Sequence, residues 1–396
     1  MRVAIIGQGY VGLTIAVGAA GAGHQVIGFD VNDALVAQLN SGKSHIEGIS
    51  DAAVQNFISS GLYAASTNPS VIDGCDVIVI AVPTPLDDAR NPDLSYVHTA
   101  ADLIANNVKS PALIINESTS YPGTLRKEIA ARITGVDHLY ASSPERVDPG
   151  NTQWGTKNTP RLIGGLTPAA VTKAHQFYAT FCDTIIEVSS PEVAEAAKIF
   201  ENTFRQVNIA LVNEFAQIAD ALGISGREVI EAAATKPYGF MPFNPGPGVG
   251  GHCIPVDPTY LAHVANEVGV PATFIKRANE VNLAMPAYVV TRVIAGSGGT
   301  IKGKNVVVVG VSYKSNVADT RETPAAAVID LLRAQGATVT WHDDLVGTWR
   351  GESSAAIKGA DIAVLVTKHD GLDLVALKSC GYVFDCTGTI AGIPGI

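Results

Sequence analysis

The sequence predicts an α/β fold in which a central helical domain joins two doubly wound parallel-sheet domains. The apolar run at 2–6 has the composition of a buried parallel strand, and a glycine-rich turn and an alanine-rich helix follow it. Residues 304–310 repeat this order of strand and glycine near the other end of the chain. Between the two, apolar side chains from about Pro191 to Ser297 recur with a helical period. Strands that alternate with helices at both ends, and helices alone between them, predict this architecture.

Further pairs of segments support an internal repeat. Residues 74–80 resemble residues 359–365, and residues 24–30 resemble residues 337–343. Each end of the chain therefore has the alternating pattern of a parallel α/β sheet. Pro191 marks a boundary, because proline is favoured in the first turn of a helix. The predicted domains are residues 1–190, 191–297 and 298–396.

The first glycine-rich turn has the spacing of a dinucleotide-binding fingerprint. Gly7 permits the tight turn, Gly9 lets the backbone approach a pyrophosphate, and Gly12 allows close packing of a helix whose N-terminus faces that group. Asp30 ends the next strand, near the spacing at which an acid binds the ribose 2′-hydroxyl, which favours NAD over NADP. The pattern predicts a Rossmann-like domain, and the internal repeat predicts a second one. The later copy, at 304–310, lacks the fingerprint, so we expect it to bind a different piece of ligand.

Length and composition exclude several classes of protein. The chain has 396 residues, of which 47% are hydrophobic and 16% charged, which suits sizeable cores and argues against disorder. A net charge of -10 argues against nucleic acid or an anionic membrane as a partner. No apolar run reaches the roughly 18 residues that span a bilayer, and no signal-peptide pattern opens the chain, so we expect a cytoplasmic protein. The sequence shows no metal-ligand spacing, and we expect no metal.

Cysteine usage singles out one thiol. The chain has 5 cysteines, an odd number without a disulfide framework, which indicates reduced thiols. Cys253 lies in a glycine-rich loop, and Gly250, Gly251 and His252 beside it argue against a packed core. The others are predicted to be core thiols, namely Cys75, Cys182, Cys380 and Cys386.

A thiol in a chain with a nucleotide-binding turn predicts redox chemistry through a covalent adduct. A hydride acceptor alone takes an alcohol to an aldehyde. The thiolate of Cys253 can trap that aldehyde as a thiohemiacetal, which loses a second hydride to give a thioester. Hydrolysis of the thioester then releases a carboxylate.

The helical stretch carries polar residues on one face. Lys198, Asn202 and Arg205 lie at positions i, i+4 and i+7 and therefore project from the same side of a helix. This face either points at a ligand or is a solvated polar stripe, and the spacing alone leaves both interpretations open.

Together these features resemble the UDP-glucose/GDP-mannose dehydrogenase family over nearly the whole chain. The motifs that carry the resemblance are the turn at 7–12, the runs at 82–85, 117–124 and 143–146, the helix with Lys198 and Asn202, the Cys253 loop, and Lys314 with the run at 319–322. The family has an N-terminal NAD domain, a central helical domain that dimerises, and a C-terminal domain that helps to bind the sugar nucleotide. The resemblance therefore implies NAD as the cofactor, a UDP-sugar as the substrate, and a homodimer or higher homo-oligomer.

The resemblance implies catalytic roles for residues around the thiol. Cys253 would be the nucleophile that holds C6 of the sugar. Lys198 would stabilise the oxyanion that develops at C6 and would favour the thiolate. Asn202 and Thr119 would hold the catalytic water or the C6 oxygen.

Acidic and basic residues complete the implied site. Asp257 would support Lys198 or the water, and Glu145 would be the general base of thioester hydrolysis. Lys314 and Arg321 match a basic pair of the family that meets the cofactor or the substrate. Each has a plainer alternative: a capping or surface carboxylate for the acids, and a surface salt bridge for the basic pair.

The resemblance also implies which residues surround each ligand. The residues expected to bind NAD are Gly7, Gly9, Tyr10, Val11, Gly12, Asp30, Pro83, Thr84, Thr119 and Arg321. The residues expected to bind the sugar nucleotide are Glu145, Arg146, Val147, Lys198, Asn202, Arg205, Gly250 and Lys314.

Departures from the UDP-glucose branch of the family bear on the sugar. That branch typically has an aromatic residue before the double glycine, where this chain has Val249, and Lys-Asp after the later proline, where this chain has Val256 and Asp257. The chain looks more like the UDP-N-acetylhexosamine 6-dehydrogenases, and its run at 147–151 favours UDP-N-acetylglucosamine over UDP-N-acetylmannosamine. The expected reaction is the NAD-dependent oxidation of that sugar at C6 to the uronic acid.

Other functions stay open from the sequence. The sugar could instead be that of a UDP-N-acetylmannosamine or UDP-glucose 6-dehydrogenase. A single-step β-hydroxyacid dehydrogenase shares the N-terminal fold but needs neither Cys253 nor a third domain. A non-catalytic sugar-nucleotide sensor on the same scaffold would have no need of the full set of Cys253, Lys198, Asn202 and Glu145.

Overall fold

A computed structural model describes residues 1–148, 150–151 and 153–396. The chain divides into two compact units. The first unit comprises Met1–Glu201 and Thr259–Val270, and the second comprises Asn202–Pro258 and Pro271–Ile396. Pro149, part of the run that favours UDP-N-acetylglucosamine, lies outside the described residues.

The first unit is built on an eight-stranded sheet in the order β3-β2-β1-β4-β5-β6-β7-β8. Its strands are β1 (Arg2–Ile6), β2 (Gln25–Phe29), β3 (Tyr63–Ser66), β4 (Val77–Ile80), β5 (Leu113–Asn116), β6 (Leu139–Ser142), β7 (Arg161–Gly165) and β8 (Ile185–Glu187). Strands β1 to β6 are parallel, and β7 runs antiparallel to β6. The order of the first six strands is that of a dinucleotide-binding sheet. In such a sheet the strand order reverses next to β1, while the strands stay parallel.

Helices connect these strands. They are α1 (Tyr10–Gly21), α2 (Asp33–Asn40), α3 (Asp51–Ser59), α4 (Ser95–Asn107) and α5 (Pro168–Tyr178), with a 3₁₀ turn at Pro69–Ile72 and a short helical segment at Leu125–Ala130. Every residue of β4 and β5 is buried, which explains why both strands are apolar except for Asn116 at the end of β5. Asn32 and Ser50 fix the starts of α2 and α3, because their side chains accept first-turn N–H groups.

The second unit combines long helices with a smaller sheet. Helix α6 (Pro191–Leu222) begins in the first unit and continues here, and the further helices are α7 (Gly226–Ala234), α9 (Thr273–Gly296), α10 (Pro324–Ala334) and α11 (Leu374–Lys378). Helix α8 (Asp257–Glu267) begins in this unit, and from Thr259 onward it belongs to the first. The strands are β9 (Asn305–Val309), β10 (Thr338–His342), β11 (Thr348–Trp349), β12 (Glu352–Ser353), β13 (Ile362–Leu365) and β14 (Tyr382–Asp385). The four-stranded parallel sheet has the order β10-β9-β13-β14, and β11 and β12 form a separate hairpin.

The internal repeat predicted from the sequence is visible in both sheets. Strand β9 lies between β10 and β13, as β1 lies between β2 and β4. Gly7 follows β1 and donates its N–H to Phe29 at 2.8 Å, while Gly310 follows β9 and donates its N–H to His342 at 2.7 Å. Both glycines have positive φ, 91° and 84°. The two sheets therefore begin with the same turn.

The predicted fold class is confirmed by two parallel α/β sheets with long helices between them in the chain. The helical stretch begins at Pro191, as predicted, and its last helix ends at Gly296. The three domain boundaries stay a prediction. Within the described residues, no helix is both long enough and apolar enough to cross a membrane.

Candidate active site

The glycine-rich turn after β1 has a shape that requires glycine. Gly7 has a φ of 91°, and a side chain there would collide with the carbonyl oxygen of Ala81. A side chain on Gly12 would collide with the carbonyl oxygen of Gly7, so this glycine lets α1 pack closely on the turn. Gly9 is the N-cap residue of α1, and open space lies where its side chain would be.

This N-terminus of α1 fits the pyrophosphate of a dinucleotide. No side chain of the described residues caps the helix, and first-turn N–H groups favour an anion. Tyr10 and Val11 begin the helix and are half-buried. Burial raises the pKa of Tyr10, and the negative charges of Glu145 and Asp148 raise it further. The turn therefore lies near the loop that follows β6.

Asp30 lies where the sequence predicts an acid that binds ribose. It follows β2 directly and is half-buried. Its Oδ2 accepts the N–H of Gln8 at 2.8 Å, and its Oδ1 accepts the N–H of Asn32 at 3.0 Å. Each carboxylate oxygen can accept more than one hydrogen bond, so a ribose hydroxyl also fits this acid.

Two loops at the carboxyl edge of the first sheet carry the remaining residues of the first unit that are expected to bind NAD. Pro83 and Thr84 follow β4, and Thr119 follows β5. Ser118 joins the loops, since its hydroxyl accepts the N–H of Val82 at 2.9 Å and donates to the carbonyl of Val82 at 2.8 Å. Because β4 pairs with both β1 and β5, these loops share an edge with the glycine-rich turn.

A buried charge network connects the ends of β5 and β6 with β7. Arg161 Nη1 lies 2.7 Å from Glu117 Oε1, and its Nη2 lies 2.8 Å from Glu145 Oε2. The three residues are 4%, 1% and 7% exposed. Tyr178 donates a short hydrogen bond to Glu117, and its ring centroid lies 4.5 Å from the guanidinium carbon. One buried cation therefore serves two buried carboxylates.

The two carboxyl groups of this network differ in acidity. Burial raises the pKa of Glu117 to about 7, against the opposing charge of Arg161. Burial also acts to raise the pKa of Glu145, but Arg161 and two backbone N–H groups outweigh it and hold that pKa below its ordinary value. Those N–H groups, of Arg146 and Val147, lie 2.7 and 2.9 Å from Glu145 Oε1. Glu145 is thus an ionised carboxylate that holds its own loop.

Arg146, expected to bind the substrate, has its guanidinium engaged by protein groups. Its Nη2 and Nε lie 2.6 and 3.2 Å from the carboxylate oxygens of Glu201. Its Nη1 donates to the carbonyl of Pro160 at 2.7 Å. Val147, the next expected substrate residue, is half-buried.

Helix α6 brings a buried lysine and a buried acid to the first unit. Lys198 is 8% exposed, and Glu195, one turn earlier, is 1% exposed. Glu195 accepts the N–H groups of Gly123 at 2.7 Å and Leu125 at 2.9 Å. Burial raises the pKa of Glu195 to about 8, and these hydrogen bonds oppose the rise. Glu195 therefore fixes α6 against the loop that begins at Thr119.

In the second unit, Cys253 lies on an exposed turn that leads into α8. Its carbonyl accepts the N–H groups of Val256 at 3.2 Å and Asp257 at 2.9 Å. The other four cysteines are buried, as predicted. Burial raises the pKa of Cys75 and of Cys182 to about 11. Exposure thus separates Cys253 from the inert thiols of the chain.

Glycines allow the Cys253 loop to approach the segment between β9 and α10. A side chain on Gly250 would crowd Tyr313 and the carbonyl of Glu322, and one on Gly251 would crowd the Tyr313 ring. Gly251 has a φ of 81° and donates its N–H to the carbonyl of Arg321 at 3.0 Å. The Cys253 loop therefore packs directly against the segment that carries Lys314 and Arg321.

Two expected catalytic residues meet in the second unit. Asn202 Nδ2 donates to Asp257 Oδ2 at 2.6 Å. The residues are 6% and 3% exposed. Arg205, on the same helix, is exposed. The hydrogen bond fixes the Asn202 amide so that its carbonyl oxygen points away from the carboxylate.

The predicted basic pair lies in the same segment as Tyr313. Lys314 is half-buried, and Arg321 Nη2 lies 2.6 Å from Asp319 Oδ2. Asp319 raises the pKa of Arg321, and the charge of a Cys253 thiolate acts in the same direction. His252 has a lowered pKa, caused by burial and then by Arg321.

Across the described ranges, no group of three or more histidine, cysteine or acidic side chains is arranged to hold a metal ion.

Sequence reasoning missed three sets of residues near these sites. They are Glu117 with Arg161 and Tyr178, Glu195, and the pair of Asp343 and His369. One of them carried a signal, since Arg161 is a charged residue in an otherwise apolar strand, and such residues are rarely buried without a partner. The others come together only through the fold.

Comparison with known proteins assigns most of the chain to three domains of one family. Models of the UDP-glucose/GDP-mannose dehydrogenase family match residues 1–182 as its NAD binding domain, residues 192–284 as its central domain and residues 307–390 as its UDP binding domain. The glycine-rich turn, Asp30 and the uncapped N-terminus of α1 fit the NAD that the first of these domains binds.

Relatives of known activity cover most of the chain. A UDP-N-acetyl-D-mannosamine dehydrogenase of Pyrococcus horikoshii is 35% identical over 391 residues, which are 96% of this chain and 92% of the relative. A UDP-N-acetyl-D-glucosamine 6-dehydrogenase of Pseudomonas aeruginosa is 34% identical over 344 residues, which are 84% of this chain and 79% of the relative. The solved structure of a UDP-D-ManNAc dehydrogenase from Pyrococcus horikoshii matches with a TM-score of 0.91 and 32% identity, covering 100% of this chain and 99% of that one. The chain therefore belongs to the UDP-glucose/GDP-mannose dehydrogenase family and is an NAD-dependent oxidoreductase of UDP-sugars.

Proposed function

We propose that the protein oxidises the C6 hydroxymethyl group of a UDP-N-acetylhexosamine to a carboxylate, with Cys253 as the nucleophile. The observation that carries the proposal is the exposure of Cys253 on a glycine-shaped turn, while the other cysteines are buried. A dehydrogenase that removes a single hydride needs no thiol. An exposed thiol beside a cationic guanidinium is what a covalent second oxidation requires.

The proposed chemistry passes through two oxidation states of C6. NAD, when bound, accepts the hydride in each oxidation. After the first, the Cys253 sulfur adds to the aldehyde carbon, and its proton goes to the C6 oxygen to give a thiohemiacetal. Loss of that proton and of the second hydride gives a thioester. Water then adds to the thioester carbon and the C–S bond breaks. One proton of the water goes to the sulfur, which restores the thiol, and the other is released to solvent as the carboxylic acid ionises.

Buried polar groups serve the oxygen of C6 in this proposal. Lys198 supplies a positive charge where the oxygen becomes negative. The Asn202 amide, oriented by Asp257, and the hydroxyl of Thr119 hold the oxygen or the attacking water. Arg321 favours the thiolate that begins the second oxidation.

Glu145 is proposed to serve the hydrolytic step. Its lowered pKa keeps the carboxylate ionised, as a base must be, but also makes it a weak base. Its contribution is therefore chiefly to orient the attacking water and to hold the backbone of Arg146 and Val147. The proposed sugar-nucleotide contacts further include Gly250, Arg205 and Lys314, with Lys314 as a point charge for the diphosphate.

An N-acetyl group at C2 is proposed from the branch pattern around Cys253, and the relatives support it. The relative from Pyrococcus horikoshii that covers nearly the whole chain acts, by its name, on UDP-N-acetyl-D-mannosamine. This makes UDP-N-acetylmannosamine the first substrate to test. The run at 147–151 favours UDP-N-acetylglucosamine, the sugar named for the Pseudomonas aeruginosa relative, as the second.

The substrate can be identified by stoichiometry. With UDP-N-acetylmannosamine, UDP-N-acetylglucosamine or UDP-glucose limiting, we expect one N-acetyl sugar to yield about two NADH and a uronic acid, because an alcohol loses two hydrides on the way to a carboxylate. NADH is measured by absorbance and the product by mass. A preference for UDP-glucose would contradict the N-acetyl assignment. One NADH with release of an aldehyde or ketone would favour a single-step dehydrogenase, and tight binding without turnover would favour a sensor.

We also propose a homodimer or higher homo-oligomer, three domains at 1–190, 191–297 and 298–396, and a cytoplasmic location. The oligomer is supported by a stripe of exposed apolar residues on α6. Phe204, Leu211, Ile218 and Leu222 are 43%, 62%, 49% and 67% exposed, and their spacing places them on one side of the helix. Large exposed apolar patches commonly mark protein interfaces.

Charge on this stripe is expected to separate the subunits. Leu211→Glu combined with Ile218→Glu puts carboxylates on the apolar stripe without touching a core, and we expect light scattering after size exclusion to show a smaller particle. Val375→Glu is the matched control, since Val375 is 82% exposed and lies on α11. Separation in the control, or none in the α6 variant, would contradict an interface at this stripe.

A further inference from the structure

We propose that His369 is a positioning residue that holds the Lys314 loop, the segment 311–316, in the shape that binds the diphosphate of a UDP-sugar. The inference rests on the proposed role of Lys314. Its basis is a buried pair of Asp343 and His369, each 4% exposed, that anchors both ends of this loop.

The first end of the Lys314 loop is held by Asp343. This residue follows β10, and its Oδ2 accepts the N–H groups of Val311 at 2.8 Å and Ser312 at 3.0 Å. The Ser312 hydroxyl donates to the same oxygen at 3.0 Å. The backbone carbonyl of Ser312 accepts a hydrogen bond from the hydroxyl of Thr367 at 2.7 Å. The start of the loop is therefore fixed through both its backbone and a side chain.

The other end of the Lys314 loop is held by His369 and its neighbour. The N–H of Asn316 donates to His369 Nδ1 at 2.8 Å. The Asn316 side chain donates to Asp370 Oδ2 at 2.9 Å and accepts the N–H of Asp370 at 3.0 Å. Asn316 has a φ of 62°, a conformation that asparagine tolerates better than most residues. Lys314 lies between these two anchored ends.

The two anchors are joined to each other. His369 Nε2 lies 3.1 Å from Asp343 Oδ1, an ion-pair contact whose angle is not that of a hydrogen bond. Since Nδ1 accepts a hydrogen bond from Asn316, the hydrogen bonding assigns the ring proton to Nε2, on the side of Asp343. A shift of the histidine ring would therefore move the end of the Lys314 loop relative to its start.

Asp343 and Asp30 differ in the hydrogen bonds that their carboxylates accept. Asp30 and Asp343 occupy the same place in the internal repeat. Asp30 accepts the N–H groups of Gln8 and Asn32 and is half-buried. Asp343 instead accepts three groups at Oδ2 and the N–H groups of Leu345 and Val346 at Oδ1. With both oxygens saturated inside the protein, this acid anchors a loop where its counterpart is available to a ribose.

The test compares two substitutions of the histidine. His369→Leu removes both ring contacts, whereas His369→Asn keeps an acceptor near the position of Nδ1. We expect His369→Leu to raise the KM for the UDP-sugar and the Kd for UDP by about tenfold, the effect of one or two lost hydrogen bonds. We expect kcat and the Kd for NAD to change by less than about twofold, and His369→Asn to recover most of the loss. A purely structural defect would affect NAD binding and kcat as well.

Lys314→Met separates failure of this inference from failure of the proposed function. If Lys314→Met weakens UDP binding while folded His369→Leu binds UDP like wild type, the inference is overturned and the role of Lys314 stands. If Lys314→Met leaves UDP binding unchanged, the proposed role of Lys314 falls, and the inference falls with it.

A second variant decides the matter if His369→Leu does not fold. Asp370→Ala alters an exposed side chain that holds only the Asn316 end of the loop. We expect it to raise the Kd for UDP by about threefold, in keeping with the loss of a single exposed hydrogen bond. Wild-type affinity for UDP in this variant would overturn the inference.

Discussion

Replacing Cys253 with alanine is expected to stop the reaction at the aldehyde. The first oxidation needs no thiol, but the second needs a carbon that carries both a hydrogen and an oxyanion, which the thiol adduct supplies. We expect uronic acid formation to slow by about 10³-fold, a barrier increase of ~4 kcal/mol. NADH formed per limiting UDP-sugar should fall toward one, and mass analysis should show an aldehyde or its hydrate.

A buried thiol supplies the control for this variant. Cys380→Ala removes a cysteine that is 8% exposed and lies outside the loop, so it should lower stability while leaving the stoichiometry unchanged. Alkylation of the native protein should label Cys253 first, since the other cysteines are buried. Full uronic acid production by Cys253→Ala, at a wild-type rate, would remove the thiol from the chemistry.

The fold was predictable because its signals are local. Strand β1, its turn and α1 follow one another without a break, and Gly7 and Gly12 each meet a separate steric demand of that turn. The internal repeat was visible for the same reason: Asp30 and Asp343 both directly follow strands whose neighbours in sequence are alike. Cys253 stood out because glycines beside a thiol argue against a packed core, and the structure leaves it exposed.

Long-range partners were not predictable from the sequence. Glu117, Glu145, Arg161 and Tyr178 belong to different elements, and only the sheet order brings them together. The family resemblance therefore implied that Glu145 is a general base, but the sequence did not show that Arg161 and two N–H groups lower its pKa. The resemblance likewise implied that Arg146 binds the substrate, although its guanidinium forms an ion pair with Glu201. Motif spacing predicts which residues approach a ligand, but not which charges already neutralise them.

Arg161→Met is expected to destabilise the protein strongly. The substitution leaves Glu117 and Glu145 buried without their shared cation. Removing one partner of a buried ion pair costs about 3–5 kcal/mol, because the remaining charge is neither solvated nor paired. Urea-induced unfolding near pH 7.5, followed by circular dichroism, should show a large fall in the midpoint.

An exposed ion pair provides the matched control. Arg126 Nε lies 2.7 Å from Glu192 Oε1, and the arginine side chain is 53% exposed. Because water screens such a pair, Arg126→Met should change the free energy of unfolding by less than about 1 kcal/mol. Equal losses in the two variants would mean that burial of the Arg161 network contributes nothing specific.

Glu117→Gln should reveal the charge of the network through the pH dependence of stability. The pKa of Glu117 is raised to about 7 in the folded chain, above its unfolded value of about 4.3. Between these values the folded chain holds a proton that the unfolded chain releases, so stability falls as the pH rises through this window. Glutamine keeps an acceptor for Arg161 and does not titrate, so the variant should lose the part of this fall that Glu117 contributes. Glu195, whose pKa is raised to about 8, should keep its own part in both proteins. Glu145 does not mask the effect, because its lowered pKa contributes stability that is lost only as the pH falls below its ordinary range. By the same reasoning, adding Glu117→Gln to Arg161→Met should recover part of the lost stability above pH 7, whereas no recovery would show that the arginine acts by packing rather than by charge.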